Sequence, residues 1–340
     1  MSTKLSTLYL HIGLEKTGTT SIQAFLDANR EALADRAGLW LPRSLGHHNH
    51  KLLAAYGFEA GSRDIAVTGA GIGPEIADME AYRATLRERL LRDAERGAGG
   101  PGVISSEDLS RLYQPSEVAR IVDLLSELTD DLRVIVFVRR QDLLASSRYY
   151  SLVLGGGTEQ AVFPQKPGGA PYYDYNRTIG NWIDALGADR ITLVRFPEQP
   201  RAEKFNSVAR FCAVLGIEAG DYQMVREQHV SFDAVNQILM QSYNQMRGGY
   251  DPEGLAWLME RLAATNDRSF SHIPSEAQAR QFYGAYRQGN QVLFRRLGAE
   301  AQMFTEDFSM YPAENMRQKF QQLAIQRLLG LMEASRRGEG

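Results

Sequence analysis

The sequence predicts an α/β protein: a parallel sheet flanked by helices, with a helical C-terminal half. Three observations carry this. Four short apolar runs, Leu8–Ile12, Gly102–Ser105, Arg133–Val138 and Ile191–Phe196, are separated by stretches of helical periodicity. The third contains Val134-Ile135-Val136-Phe137-Val138, apolar without a break, as a strand covered by helices on both faces should be. Beyond Arg195 the pattern is mainly that of amphipathic helices.

Leu8–Ile12 runs into a turn holding Gly13, Lys16 and Gly18, and Thr19-Thr20-Ser21 opens a helix expected to reach Ala37. Helical periodicity over Ile76–Arg96 precedes the second strand, and Pro115–Leu128 links the second to the third. Gln141–Leu154 and Ile179–Ala185 fall between the third and fourth. Then come Ala202–Leu215, Ala234–Met246, Pro252–Ala264, Glu276–Leu297 and Glu314–Ala334, with Pro274-Ser275 and Pro312-Ala313 reading as helix starts. Gly155 to Pro171 is a long Gly/Pro-rich connection of the kind used for lids and binding loops. Tyr172, Tyr173 and Tyr175 beyond it suit either a sugar-stacking surface or core packing. The expected organisation is one domain over residues 1–335, with the sheet in 6–200, helices in 201–335, and a frayed tail at 336–340.

The composition is that of a folded globular protein, 44% hydrophobic and 23% charged over 340 residues. A net charge of −3 argues against a broad nucleic-acid or membrane-binding face and leaves room for a local basic pocket. Cys212 is the only cysteine, so no intramolecular disulfide forms, which fits a reducing compartment. No signal-peptide core precedes the first strand and no apolar run is long enough to span a bilayer; the expected location is the cytoplasm.

Strand, Gly-rich turn and helix N-terminus together make a phosphate cradle: glycines let the backbone approach, N–H groups point at the anion, and the helix dipole attracts it. The nucleoside-triphosphate loop reads G-x-x-x-x-G-K-[ST]. Counted from Gly13, Gly18 is in place, but Thr19 holds the lysine position and the lysine is Lys16. A second anion signature follows the third strand. Arg139 ends it, and Ser147 lies eight residues later, two turns into the next helix, a spacing that lets both converge on one anion.

Together, Lys16-Thr17-Gly18-Thr19-Thr20 and Arg139…Ser147 resemble the K-x-G-T-[TS] and R-(x)7-S elements of the sulfotransferase family, in particular its bacterial, carbohydrate-type branch. Ile104-Ser105-Ser106-Glu107, Asn181-Trp182…Arg190-Ile191, Phe211…Gly216-Ile217, Tyr286…Asn290…Phe294 and Phe308…Tyr311-Pro312 extend the resemblance. It implies a P-loop-like fold and 3′-phosphoadenosine 5′-phosphosulfate as the sulfuryl donor, without a metal. Lys16 would stabilise charge on the bridging oxygen. The backbone of Thr17 to Thr20, with the Thr19 and Thr20 hydroxyls, would hold the 5′-phosphate, and Arg139 and Ser147 the 3′-phosphate. The acceptor would be a carbohydrate hydroxyl, with no nucleic acid involved.

Such a transfer also needs a base for the acceptor proton. Glu107 is the first candidate because it follows a strand at the sheet's carboxyl edge; the alternative is that it caps the turn after it or pairs with an arginine. His50 is the second, from the Gly46-His47-His48-Asn49-His50 segment after the first helix, where loop packing is the ordinary role. Two other functions stay open. A P-loop kinase would recruit Thr19, Thr20, Glu107 and Asp108 to Mg²⁺, against the displaced lysine. A non-catalytic module would keep the nucleotide pocket and lose the base.

Overall fold

The computed structural model describes residues 4–166, 168–199, 205–225, 232–267, 269–300 and 303–337. In chain order the strands and α-helices are β1 (Thr7–His11), α1 (Thr19–Ala28), α2 (Arg30–Ala37), α3 (Lys51–Gly57), α4 (Ile65–Gly69), α5 (Ile76–Ala94), β2 (Pro101–Ser105), α6 (Pro115–Ser126), β3 (Leu132–Val138), α7 (Gln141–Leu154), α8 (Tyr175–Leu186), β4 (Ile191–Arg195), α9 (Ser207–Leu215), α10 (Ala234–Arg247), α11 (Pro252–Leu262), α12 (Glu276–Arg296) and α13 (Arg317–Arg337). The fold is α/β. The strands form one parallel sheet in the order β2-β1-β3-β4, with Leu10 opposite both Ile104 and Val134, and Val136 opposite Leu193. Among the described residues no helix is long and apolar enough to cross a membrane.

The chain divides into two compact units, each assembled from separate segments. The first (Met1–Arg139, Pro171–Glu227, Gln288–Phe304) holds the whole sheet. On one sheet face Val103, Ile135 and Phe137 pack with Ile22, Phe25 and Leu26 of α1 and Phe211 and Cys212 of α9. Val134, Val136 and Val138 alternate with them along β3 and are equally buried, so both faces are covered.

The second unit (Arg140–Ala170, Gln228–Arg287, Thr305–Gly340) is helical among its described residues. Its core joins Tyr149 and Val153 of α7 to Val235, Ile238 and Leu239 of α10, Leu258 of α11 and Phe320 of α13. Arg140 is buried in the same unit, bonded to both oxygens of Asp142 at 2.8 and 3.0 Å and to the Thr305 and Asp307 carbonyls, with Phe308 against its guanidinium. Every charge-bearing atom of that pair has a partner, the condition under which a buried ion pair is tolerated. The start of the Gly-rich connection is fastened to α10: Asn244 donates to the Val153 and Gly157 carbonyls and Gln241 to those of Thr158 and Glu159. Phe163 stacks on Phe282 at 4.8 Å.

Several boundaries differ from the sequence reading, each for a local reason. The helix expected over Thr19–Ala37 breaks at Asn29, whose side chain donates to the Phe25 and Gln223 carbonyls and accepts from the Gln223 N–H. α9 begins at Ser207 under an Asn206 cap rather than at Ala202, and 202–204 lie outside the described residues. The Ser275 start of α12 is confirmed by a reciprocal pair: Ser275 Oγ accepts from Gln278 N, and Gln278 Oε1 from Ser275 N. α13 starts at Arg317 rather than near Pro312, because Asn315 Oδ1 accepts from Arg317 N and Met316 N is committed to the Ile273 carbonyl. Arg336 and Arg337 of the expected tail are helical, and 338–340 lie outside the described residues. The short α3 and α4 are additions that periodicity did not mark.

Candidate active site

β1 delivers the phosphate loop to the carboxyl edge of the sheet. Leu14 N donates to Phe137 O and Phe137 N to Gly13 O, so the loop leaves the sheet with its first residues still tied to β3. Gly13 has φ +91, and a Cβ there would lie 3.0 Å from Cα and Cβ of Glu107. Any side chain at 13 would therefore push the Glu107 turn off the loop. Gly18, with φ +90, is the N-cap of α1 and presses against Ser207 of α9. No side chain caps α1, so its first-turn N–H groups keep their donor capacity at the loop.

Within the loop the threonines divide their work. Thr17 is fully buried and its hydroxyl donates to the Leu14 carbonyl at 2.6 Å, closing the turn. Thr19 is buried in the first turn of α1, and Thr20 is exposed. Lys16 takes a left-handed φ of 60, its side chain is exposed, and among the described residues its ammonium has no partner. Arg139 comes to the same loop: its Nη1 donates to the Lys16 carbonyl at 3.2 Å, and its guanidinium lies 5.0 Å from the Phe196 ring. The Tyr175 hydroxyl donates to the Arg139 carbonyl, fixing the end of β3. Ser147 belongs to α7 in the second unit, where it is half-buried and its carbonyl accepts from Ser151 Oγ.

Glu107 opens a 3-10 turn, Glu107–Arg111, directly after β2. Among the described residues its carboxylate pairs with no arginine; Gln23 Nε2 of α1 donates to Oε2 at 2.5 Å. Burial raises its pKa above the ordinary carboxylate value, the Gln23 bond opposes this, and the nearby Asp108 and Glu15 charges add to the rise. A carboxylate held this way is a stronger base than one in water.

Arg111, on the same turn, is a hub. It contacts Glu15 of the loop at 2.6 Å, Asp108 at 2.6 Å and Asp64 at 2.8 Å. Burial works against its charge, yet the carboxylates hold its pKa above the usual guanidinium value. The Tyr172 hydroxyl donates to the other Glu15 oxygen at 2.8 Å. The residue before Lys16 is thus clamped from two sides. Arg111→Met is expected to destabilise the protein by about 3 kcal/mol, because it leaves three carboxylates crowded without their cation; urea unfolding measures it, and Asp64→Asn in the same chain should recover part of the loss.

His50 and His11 both meet Ser105, two residues before Glu107. His50 is buried, its Nδ1 accepts from the Ser105 N–H at 3.0 Å, and its backbone N–H donates to the Ser105 carbonyl. Burial, reinforced by the Arg30 charge, lowers its pKa to about 3. This is a neutral imidazole used as a backbone brace beside β2. His11, also buried and shifted down to about 3 by burial, shares a 2.8 Å contact between Nδ1 and Ser105 Oγ. His48 is exposed and pairs with Asp27. Tyr173 and Tyr175 are core residues. Sequence reasoning missed Gln23, Arg111 and Glu15, and read Tyr172 as sugar-stacking or core-packing rather than as a donor to Glu15. One signal for Gln23 was present: it lies one turn after Thr19, on the same face of α1.

No protein-family model matches the chain, and no curated protein matches it. Among solved structures it is similar to a sulfotransferase from Alicyclobacillus acidocaldarius, at 16% identity over 70% of this chain and 92% of that one, with a TM-score of 0.40. It is similar also to a sulfotransferase domain from the curacin biosynthetic pathway, at 14% identity over 63% of this chain and 75% of that one (TM-score 0.33). A third is the sulfotransferase domain of the Synechococcus PCC 7002 olefin synthase, at 16% identity with the same coverage (TM-score 0.32).

Proposed function

We propose that the protein is a sulfotransferase of the phosphate-loop type. More particularly, it transfers the sulfuryl group of 3′-phosphoadenosine 5′-phosphosulfate to a carbohydrate hydroxyl in the cytoplasm, where the lone Cys212 stays reduced. One observation carries the reading: an exposed Lys16, without a partner among the described residues, on a Gly-rich loop at an uncapped helix N-terminus, with Arg139 bonded to that lysine's own carbonyl.

In this reading the 5′-phosphate sits on the backbone of Thr17 to Thr20, helped by the Thr19 and Thr20 hydroxyls. Lys16 neutralises charge growing on the bridging oxygen as sulfur is attacked in line. Arg139 takes the 3′-phosphate with Ser147; the spacing of the two in the sequence supports Ser147's share. Glu107 removes the acceptor proton, and the clamp on Glu15 keeps loop and base at a fixed separation. His50 holds β2 in place and leaves proton transfer to Glu107. No metal is needed, because Lys16 supplies the positive charge at the leaving group. A kinase is disfavoured by Asp108: Arg111 holds Oδ1, and Asn49 and Ser106 approach Oδ2, which leaves a poor Mg²⁺ ligand.

The test is thermal shift with adenosine 3′,5′-bisphosphate in EDTA. A hundredfold excess over Kd should stabilise the protein by about 2.7 kcal/mol, and adenosine 5′-monophosphate at equal concentration by much less. Equal shifts from both nucleotides, or a response only to ATP with Mg²⁺, overturn the donor assignment. Transfer of ³⁵S from labelled donor to a glycan panel identifies the acceptor; tight donor binding without transfer would mean a binding module.

A further inference from the structure

Glu107 meets the rest of the first unit through few polar contacts, and one comes from helix α1. Gln23 is buried on the second turn of α1, and its amide Nε2 donates to Glu107 Oε2 at 2.5 Å. No other side chain among the described residues bonds that carboxylate. The backbone at each end is rigid. Ile22 and Phe25 on either side of Gln23 are core residues, Ser106 N donates to the His11 carbonyl, and Ser110 Oγ donates to the Glu107 carbonyl. Gly13 allows the turn to approach without an intervening side chain.

We infer that Gln23 is the positioning residue for the Glu107 carboxylate: its amide holds Oε2, fixes the plane of the group, and leaves Oε1 as the oxygen that receives the acceptor proton. This rests on the reading of Glu107 as the base. The amide has a further effect. It bonds the charged form more strongly than the neutral one, so it favours ionisation of Glu107 against burial. The other charged groups at this carboxylate are Glu15 from the loop and Asp108 on its own turn, both of which oppose ionisation, while Arg111 neutralises both from behind. Gln23 is thus the neutral donor that keeps a buried base usable near neutral pH. A leucine or methionine at 23 would fill the space and lack the donor.

The experiment is a carboxyl titration of the whole chain labelled with δ-¹³C glutamate, with the Glu107 resonance assigned by its absence in Glu107→Gln. Gln23→Met should move the Glu107 midpoint upward by about one pH unit, a tenfold change in proton affinity. In ³⁵S transfer from the labelled donor to an accepting glycan, the acid limb of the rate profile should move up equally, and the alkaline plateau should fall as the carboxylate loses its fixed plane. Gln23→Glu, which keeps the hydrogen-bonding shape, should move the midpoint further in the same direction because two carboxyls then share one site; it serves if the methionine variant does not fold. An unmoved midpoint, or a rate lowered equally at every pH, overturns the role of Gln23. If Glu107→Gln itself retains transfer, the base assignment fails and this inference falls with it; a dead Glu107→Gln with an unmoved midpoint removes Gln23 alone.

Discussion

Lys16→Ala should cut sulfuryl transfer by about 10²–10³ at saturating donor, while the Kd for adenosine 3′,5′-bisphosphate rises less than tenfold. The asymmetry follows from where the charge is needed. In the bound donor the bridging oxygen carries little charge; at the transition state it becomes a phosphate oxygen, and an ammonium at that point is worth most there. Isothermal titration measures the affinity and initial rates the turnover. The variant is also structurally clean. Lys16 is exposed and its ammonium has no partner among the described residues, so removing it deletes no fold contact. Its left-handed φ of 60 costs alanine about what it costs lysine, so the melting temperature should stay within a degree or two. Equal losses in affinity and rate would place Lys16 in ground-state binding and move the leaving-group role to Arg139, which reaches the loop from the end of β3.

The order of elements was legible because burial on both sheet faces writes itself into composition. β3 is the clearest case: five consecutive apolar residues gave a strand whose bounds differ by one residue from those observed. The loop was legible because positive φ at Gly13 and Gly18 demands glycine, and glycine is visible in a sequence. What stayed hidden depends on long-range pairing. Glu15 reads as an ordinary loop acid until Arg111 and Tyr172 are seen on either side of it, 96 and 157 residues away. Arg140 reads as a surface cation beside Arg139; its burial is created by Asp142 two residues on and by carbonyls 165 and 167 residues on. His50 reads as a candidate base or a loop residue; that its Nδ1 accepts from the Ser105 N–H, 55 residues on, shows only in the fold. The break at Asn29 follows the same rule, since the Gln223 backbone that satisfies its side chain is 194 residues away.

Glu107→Gln should lower transfer by about 10²–10⁴, the usual share of a general base, and should raise the melting temperature by a few degrees at neutral pH. The two effects have one cause. Burial raises the folded-state pKa of Glu107 above its unfolded value. Between those two values the native state binds more protons than the unfolded state, so stability falls as pH rises through that window. Below the window both states are protonated and the cost vanishes; above it the folded protein carries the full cost of a buried anion. An amide never carries that cost, and its carbonyl oxygen can still accept from Gln23 Nε2, so packing and hydrogen bonding persist. The advantage of the variant should therefore be absent at pH 4, grow as Glu107 ionises, and stay constant beyond. Melting curves at several pH values measure it directly. A variant that is inactive and less stable at every pH would make Glu107 a structural residue whose loss disturbs the loop through Gly13. A variant that is inactive, more stable only above the window, and unchanged in affinity for adenosine 3′,5′-bisphosphate is what a base kept ionised at the expense of stability should give.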